Sequence, residues 1–537
     1  MKTFPIILAA LCSVSTLFAQ HAAVTFSPRT DCEEEQIHKI ILFNDGSAKY
    51  LCYDRSIENI KVASYTEGLK KTEKTIKVSS WGEGDVSSSE IVAAKNHKYF
   101  FASAMPKKKE CTLSYVPITP GFGTADVTPQ KVMTLPSLMG SGEYLSRGAQ
   151  GDVWKFAISG DSTKILGKCE LLNTERNPDA GVSVYVWSED MKVLWKQDFV
   201  LPRKRMRLEE VTYHLSNSGN DVYMLYKFVD NYNGPDDKPK YHYELARFSK
   251  GATAPVIANI DFKGLFFNDL TAAEDATGTM VVAGIVSESF TDNFSPGFAL
   301  LKMVSDGKKM EAYGKGVYTL SEAELKRLLQ LKADRKASKL DQYGKYEVRN
   351  PYLHLLNMKF KADGILNVYL TPEYYSVSGL SNADGSARGK RFADDIYAFH
   401  IGTSGSLNEV LRVPRLSSDR DAIIASGPDG ADYFYILENP ANLSRDLKKE
   451  SPEYIDDKNL ENNAWDLVKL NSDGSTKRVK LLPYDIIPAE KKKFHYYVKS
   501  IIFISPNECI GALQDLNMKG NANYHQSSVY FRAKLDW

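Results

Sequence analysis

The sequence predicts an all-β fold, a β-propeller of four-stranded antiparallel blades. Three observations carry this: a recurring hairpin, second strands that are apolar on both faces, and a final unit one strand short. The hairpin recurs at a spacing of about 50 to 85 residues, the range in which blades and solenoid units repeat. It reads ISGDSTKILGKCELL from Ile158, LSNSGNDVYMLYKFV from Leu215, EDATGTMVVAGIVSES from Glu274 and FKADGILNVYLTPEYY from Phe360. Two later copies are SGPDGADYFYILENP from Ser426 and ISPNECIGALQDLN from Ile504, and weaker ones begin near Ile41 and Val92. The expected count is eight blades, with seven next and six last, because the first two copies match poorly.

A second half follows most hairpins: a strand, a Gly/Asp turn and a closing strand, as in SVYVWSEDMKVLWKQDFVLP from Ser183 and FALLKMVSDGKKMEAYGKGV from Phe298. Ser305-Asp306-Gly307 and Ser472-Asp473-Gly474 supply turn residues that tolerate positive φ. Val222-Tyr223-Met224-Leu225-Tyr226 is apolar without alternation, so a strand there must be covered on both faces, as inner strands of a blade are. From Phe494 to Trp537 only three strands fit, and the missing fourth is expected from the N-terminal residues Val24 to Phe26, latching the ring.

One insertion interrupts the pattern. Ser321-Glu322-Ala323-Glu324 has capping-box spacing, and Leu325, Leu328, Leu329 and Ala333 follow at helical spacing. Residues 321–345 are expected to hold an amphipathic helix on one face of the ring, its leucines packed on a neighbouring blade or offered to a partner.

The N-terminal residues 1–19 read as an export signal: Lys2, an apolar run from Phe4 to Leu11, and small residues leading to cleavage after Ala19. The run is too short to span a bilayer, and no later segment is apolar enough to do so. Leu11 precedes Cys12 where a lipidated cysteine needs Gly or Ala, which argues against lipidation. Residues 20–537 are then a single propeller domain, exported to periplasm or medium. The remaining cysteines are Cys32, Cys52, Cys111, Cys169 and Cys509, with Cys32 and Cys52 the one close pair.

Leu194-Trp195-Lys196-Gln197-Asp198-Phe199 with Leu201-Pro202, the Asp221-Val222-Tyr223 strand, Tyr374-Tyr375 and Leu470-Asn471-Ser472-Asp473-Gly474 resemble a group of uncharacterised exported β-propeller-like proteins of Bacteroidota. The resemblance spans residues 151–537 and departs over the N-terminal third. It implies a fold and a compartment, and carries no site.

Chemistry is sparsely signalled. Lys+Arg is 68 against Asp+Glu 67, a balance that gives no electrostatic pull toward nucleic acid or an anionic membrane. Nine histidines are scattered singly, without H-E-x-x-H, and there is no C-x-x-C, G-x-S-x-G or phosphate-binding glycine loop. No metal and no cofactor is therefore expected. His242, His400 and His495 lie among aromatics and read as satisfied structural histidines. A glycosidase on a propeller would need paired acids at the channel. Glu373 and Asp394 are the candidates, with Asp395, Asp269 and Glu438 behind them; Asp394 and Asp395 point to opposite faces of one strand and cannot form the pair themselves. The acidic runs Asp236-Asp237 and Asp456-Asp457 lack the order of a calcium loop. Tyr374-Tyr375 and Phe494 to Tyr497 read as strand packing before sugar stacking. Lys107 to Lys109 and Arg203 to Arg207 read as solvated loops. The expected role is binding or scaffolding, toward a protein or an envelope glycan, with a channel hydrolase as the alternative.

Overall fold

A computed structural model of the chain describes residues 22–32, 37–54, 57–81, 85–105, 110–136, 154–171, 179–230, 241–287, 295–328, 346–348, 352–381, 387–393, 395–415, 422–439, 441, 464–471, 475–483, 496–516 and 526–537. Their strands form eight sheets, six of them four-stranded meanders of sequence neighbours. Blades 1 to 7 cover residues 37–77, 85–136, 154–204, 208–260, 266–319, 346–413 and 423–483. Blade 8 contains Tyr496–Ser505, Glu508–Leu516 and Gln526–Lys534, and its fourth strand is the N-terminal segment Ala23–Phe26. Val24 pairs with Ala533 and Phe26 with Phe531, so the expected latch closes the ring. Both weak N-terminal copies form complete blades, which settles the count at eight.

Strands apolar on both faces are explained by how the blades stack. In Asp221–Val229, Val222, Met224 and Tyr226 join a cluster with Leu166, Val184 and Val186 of blade 3. Tyr223 and Leu225, pointing the other way, join Phe267, Met280 and Val282 of blade 5. The same arrangement repeats around the ring, so each of the eight apolar clusters lies between two neighbouring blades. Burying a Val, Leu or Met side chain contributes about 1.5–3 kcal/mol, and no blade can cover both of its own faces. The ring is the smallest arrangement that covers all of them.

The first hairpin turns share one geometry. Residues 43–47, 159–163, 216–220, 275–279, 361–365 and 427–431 each join the first two strands of a blade. The fourth position is left-handed in all of them: Gly46, Gly219, Gly278, Gly364 and Gly430 have φ between 73 and 85°. Ser162, with φ 59°, holds that position in blade 3.

Blade 6 is elaborated. Its second strand, Leu366–Ser381, pairs with Tyr352–Phe360 and Ile396–Ile401, and its extension carries Tyr346–Val348 and Ala387–Ala393 as two further strands. Before it, residues 322–328 are helical. The Glu324 amide donates to the Ser321 hydroxyl at 3.2 Å, the cap that the sequence predicts. Leu328 is buried and Leu325 partly buried in the cluster between blades 5 and 6. The rest of the expected helix, with Leu329 and Ala333, lies outside the described residues. Among the described residues no helix is long and apolar enough to cross a membrane.

Cys32 and Cys52 form a disulfide, while Cys111, Cys169 and Cys509 are buried free thiols. The bond joins the segment just after the latch to the second strand of blade 1.

Candidate functional site

The meander gives the ring two unlike faces. First-to-second and third-to-fourth strand connections emerge on one face, and most contain four to six residues, such as 43–47, 66–70, 94–97 and 304–309. Second-to-third and blade-to-blade connections emerge on the other. There, 11 residues separate Val229 from Tyr241, 25 separate Glu438 from Ala464, and 26 separate Thr319 from Tyr346.

The sequence candidates fall in different places. Glu373 lies on the second strand of blade 6, opposite Tyr352 and Ala393, and is 1% exposed. Asp394 lies outside the described residues, as does the Glu438 side chain. Asp395 is buried: Arg327 of the helix reaches it at 2.9 Å, Arg412 at 3.4 Å, and the Arg415 amide donates to it at 3.0 Å. Asp269, on the innermost strand of blade 5, accepts from the Leu355 amide at 2.7 Å and contacts His354, both on the innermost strand of blade 6. Asp395 and Asp269 therefore tie elements together, and Glu373 sits within a blade. Asp236-Asp237, Asp456-Asp457, Lys107 to Lys109 and His495 lie outside the described residues, and so do the side chains of Tyr374, Tyr375, Tyr496 and Tyr497.

The stretch Arg203 to Arg207 corrects an expectation. It is not a solvated loop: Arg203 Nη2 donates to Glu244 of blade 4 at 2.7 Å, and Arg205 Nη2 to Glu170 at 2.6 Å. Arg207 donates to the Asp230 carbonyl at 3.3 Å. His242 joins this group, with Nδ1 2.8 Å from Asp230 and Nε2 3.1 Å from Glu244. Burial would lower the His242 pKa, but the two carboxylates outweigh it and hold the ring's pKa above its ordinary value. As expected for His242, both ring nitrogens are satisfied.

His400 is different. Its Nδ1 lies 2.9 Å from Glu409 Oε1, but Nε2 is buried without a hydrogen-bond partner. Its cross-strand partner Asn367 likewise leaves Oδ1 without one. His400 lines a cavity of about 270 Å³ on the short-turn face, between blades 6 and 7. Lys361, Asp429, Gly430, Ala431 and Asp432 form other walls, with Lys469, Leu470 and Asn471 completing them. The charged groups are fixed by bonds of their own. Asp432 accepts from Lys359 at 2.5 Å, Asn367 at 2.9 Å and Tyr369 at 2.5 Å, with Lys361 at 3.4 Å. Burial alone would raise its pKa; Lys359 and these donors hold it below the ordinary value. Lys469 donates to Asp429 at 2.7 Å and lies over the rings of Tyr433 and Trp537. Asp429 is likewise held below its ordinary pKa, burial being outweighed by Lys469 and by neighbouring donors. Sequence reasoning missed this group because it joins two blades. The signal available was a polar residue set in apolar strands, as Asn367 is in LNVYL and Asp432 is before YFYIL.

No protein-family model matches the chain. No curated protein matches it either. Solved structures with a similar fold include the WD40 domain of SCAP from fission yeast, 8% identical over 95% of this chain and 98% of that one, with a TM-score of 0.38. The β-propeller domain of the Trilobed protease from Pyrococcus furiosus is 10% identical over 86% of this chain and 98% of that one, TM-score 0.34. A protein of unknown function from Dyadobacter fermentans is 8% identical over 72% and 96%, TM-score 0.30. By its own strand order, this chain is an eight-bladed β-propeller.

Proposed function

We propose that the protein is an exported binding or scaffold protein of the cell envelope, one of the propeller-like group of Bacteroidota that its turns and strands resemble. The observation that carries this reading is the asymmetry of the two faces: the strand ends that bound the connections of 25 and 26 residues, Glu438 and Ala464, Thr319 and Tyr346, are on one of them. A rigid ring holds such strand ends at fixed positions, and recognition through the connections they bound needs no special catalytic residue. Export is supported by the N-terminal signal pattern and by the Cys32–Cys52 disulfide, a bond that persists in oxidising compartments. The ligand class is a protein or an envelope glycan.

The test is capture from an envelope extract of the producing cell by tagged protein beginning at Gln20, with bound material identified by mass spectrometry. A stoichiometric envelope component is expected, and a protein partner should be lost when residues 321–345 are replaced by a short Gly/Ser loop. Recovery of no envelope component, protein or glycan, would overturn the reading.

A further inference from the structure

We infer that the cleft between blades 6 and 7 binds a neutral saccharide through its vicinal hydroxyls. This inference deepens the envelope-binding reading and rests on it. Four features of the cleft lead to it.

Its size exceeds a water site. A volume of about 270 Å³ is many times the roughly 10–15 Å³ that one water needs on the same measure. Its lining also holds an unused acceptor. The His400 side chain is nine-tenths buried, and its Nδ1 contact with Glu409 places the proton on that nitrogen, leaving Nε2 as an acceptor with no donor. A buried polar atom left unpaired is destabilising, and a ligand hydroxyl removes that cost.

The charges select the ligand class. Lys361 and Lys469 are balanced in the lining by Asp429 and Asp432. An anion would meet two carboxylates and a cation two ammonium groups. A hydroxyl both donates and accepts, so adjacent hydroxyls can take a bond from an ammonium while giving one to His400 or a carboxylate. Finally, the walls are already ordered. Lys469 is pinned between Asp429 and two rings, and Asp432 is held by three donors, so little side-chain freedom is lost on binding.

Two variants separate binding from folding. His400→Phe removes Nε2 and keeps the ring. Gly430→Asn adds a side chain where the glycine faces open space, and Asn tolerates the left-handed conformation that Gly430 adopts at φ +73°. Binding would be measured by saturation-transfer NMR and calorimetry with N-acetylglucosamine, galactose and mannose, against glucosamine and glucuronate as charged counterparts. At least one neutral sugar should bind ten-fold more tightly than either charged sugar, and each variant should weaken it at least ten-fold while the melting temperature holds within a few degrees. No binding of any neutral sugar, tighter binding of a charged one, or neutral-sugar binding unchanged in both variants would overturn the inference. Envelope capture that persists without sugar binding removes the cleft alone; sugar binding without envelope capture removes the broader reading alone.

Discussion

Two seams of the same ring are built from different materials. Between blades 8 and 1 the contact is mainly apolar and is crosslinked. Tyr50, Tyr65, Leu42 and Ala63 of blade 1 pack on Ile510, Ala512 and Tyr530 of blade 8. Tyr530 donates to the Lys49 carbonyl at 2.5 Å, its ring lies 4.6 Å from that of Tyr65, and Cys32–Cys52 fastens the incoming segment. Between blades 6 and 7 an apolar cluster around Tyr369, Ile396 and Phe434 is interrupted at the turn face by Lys359, Asn367, Asp432 and the cleft. The difference follows from topology. Every seam is crossed by chain, but at this one the crossing segment leaves Ala23–Phe26, which belongs to blade 8 only by pairing with Gln526–Lys534, so closure depends on the two ends of the chain holding together. That seam must hold by packing and crosslinking, and an interior seam can carry buried charge and an open cleft because its neighbours keep it closed.

Charge carries the largest expected effect. Asp432→Asn at the 6–7 seam leaves Lys359 facing a neutral group in a nearly buried site, and breaking such a pair costs about 3 kcal/mol. The sign with pH is fixed by the lowered pKa of Asp432. The pair's stabilisation is fully present above the unfolded value of about 4 and is lost as pH falls through the lower folded value. Urea titrations of both proteins should differ at pH 7 and converge below pH 4. A constant gap down to pH 2 would remove charge pairing from the account of this seam.

At the closing seam the disulfide spans 20 residues. Replacing both Cys32 and Cys52 by Ser should cost about 3 kcal/mol through the freed chain entropy of the unfolded state. Chemical denaturation with and without reductant checks it: wild type should lose stability on reduction and the double variant should not. Equal loss in both would place the reductant's effect elsewhere.

The smallest expected effect belongs to the turn face. Ser162 occupies the left-handed position that glycine holds in five sister turns. Relief of that strain is worth about 1–2 kcal/mol, and the added unfolded-state freedom of glycine takes back about 0.5–1 kcal/mol. Ser162→Gly should therefore stabilise by about 0.5 kcal/mol, read as a slightly higher denaturation midpoint. A loss would mean that the Ser162 side chain supports the turn.

What the sequence could show follows from what is local. The repeating turn, strands apolar on both faces and a three-stranded last unit are patterns within one blade, and from them come the ring, its blade count, and the latch at Val24 to Phe26. Blade 2 is weak in sequence because its first turn, AKNH, is a residue shorter and has no glycine, whereas FNDGS of blade 1 carries the same Asp-Gly as the turns of blades 6 and 7. The extra strands of blade 6 were not legible because Ala387–Ala393, ARGKRFA, is polar and glycine-containing, without strand alternation. Arg203 and Arg205 looked solvated because their carboxylate partners, Glu244 and Glu170, lie 41 and 35 residues away on other strands. The cleft was hidden for the same reason: His400, Asp432 and Lys469 become neighbours only when two blades stack.

The N-terminal strand closes the ring as an integral part of blade 8, and hydrogen exchange followed by mass spectrometry reads that closure strand by strand. Amides of 23–26 should exchange as slowly as those of 531–534, with which they pair, and both should lose protection together in denaturant. Fast exchange of 23–26 beside a protected 531–534 would contradict this closure, leaving blade 8 three-stranded and the ring unlatched.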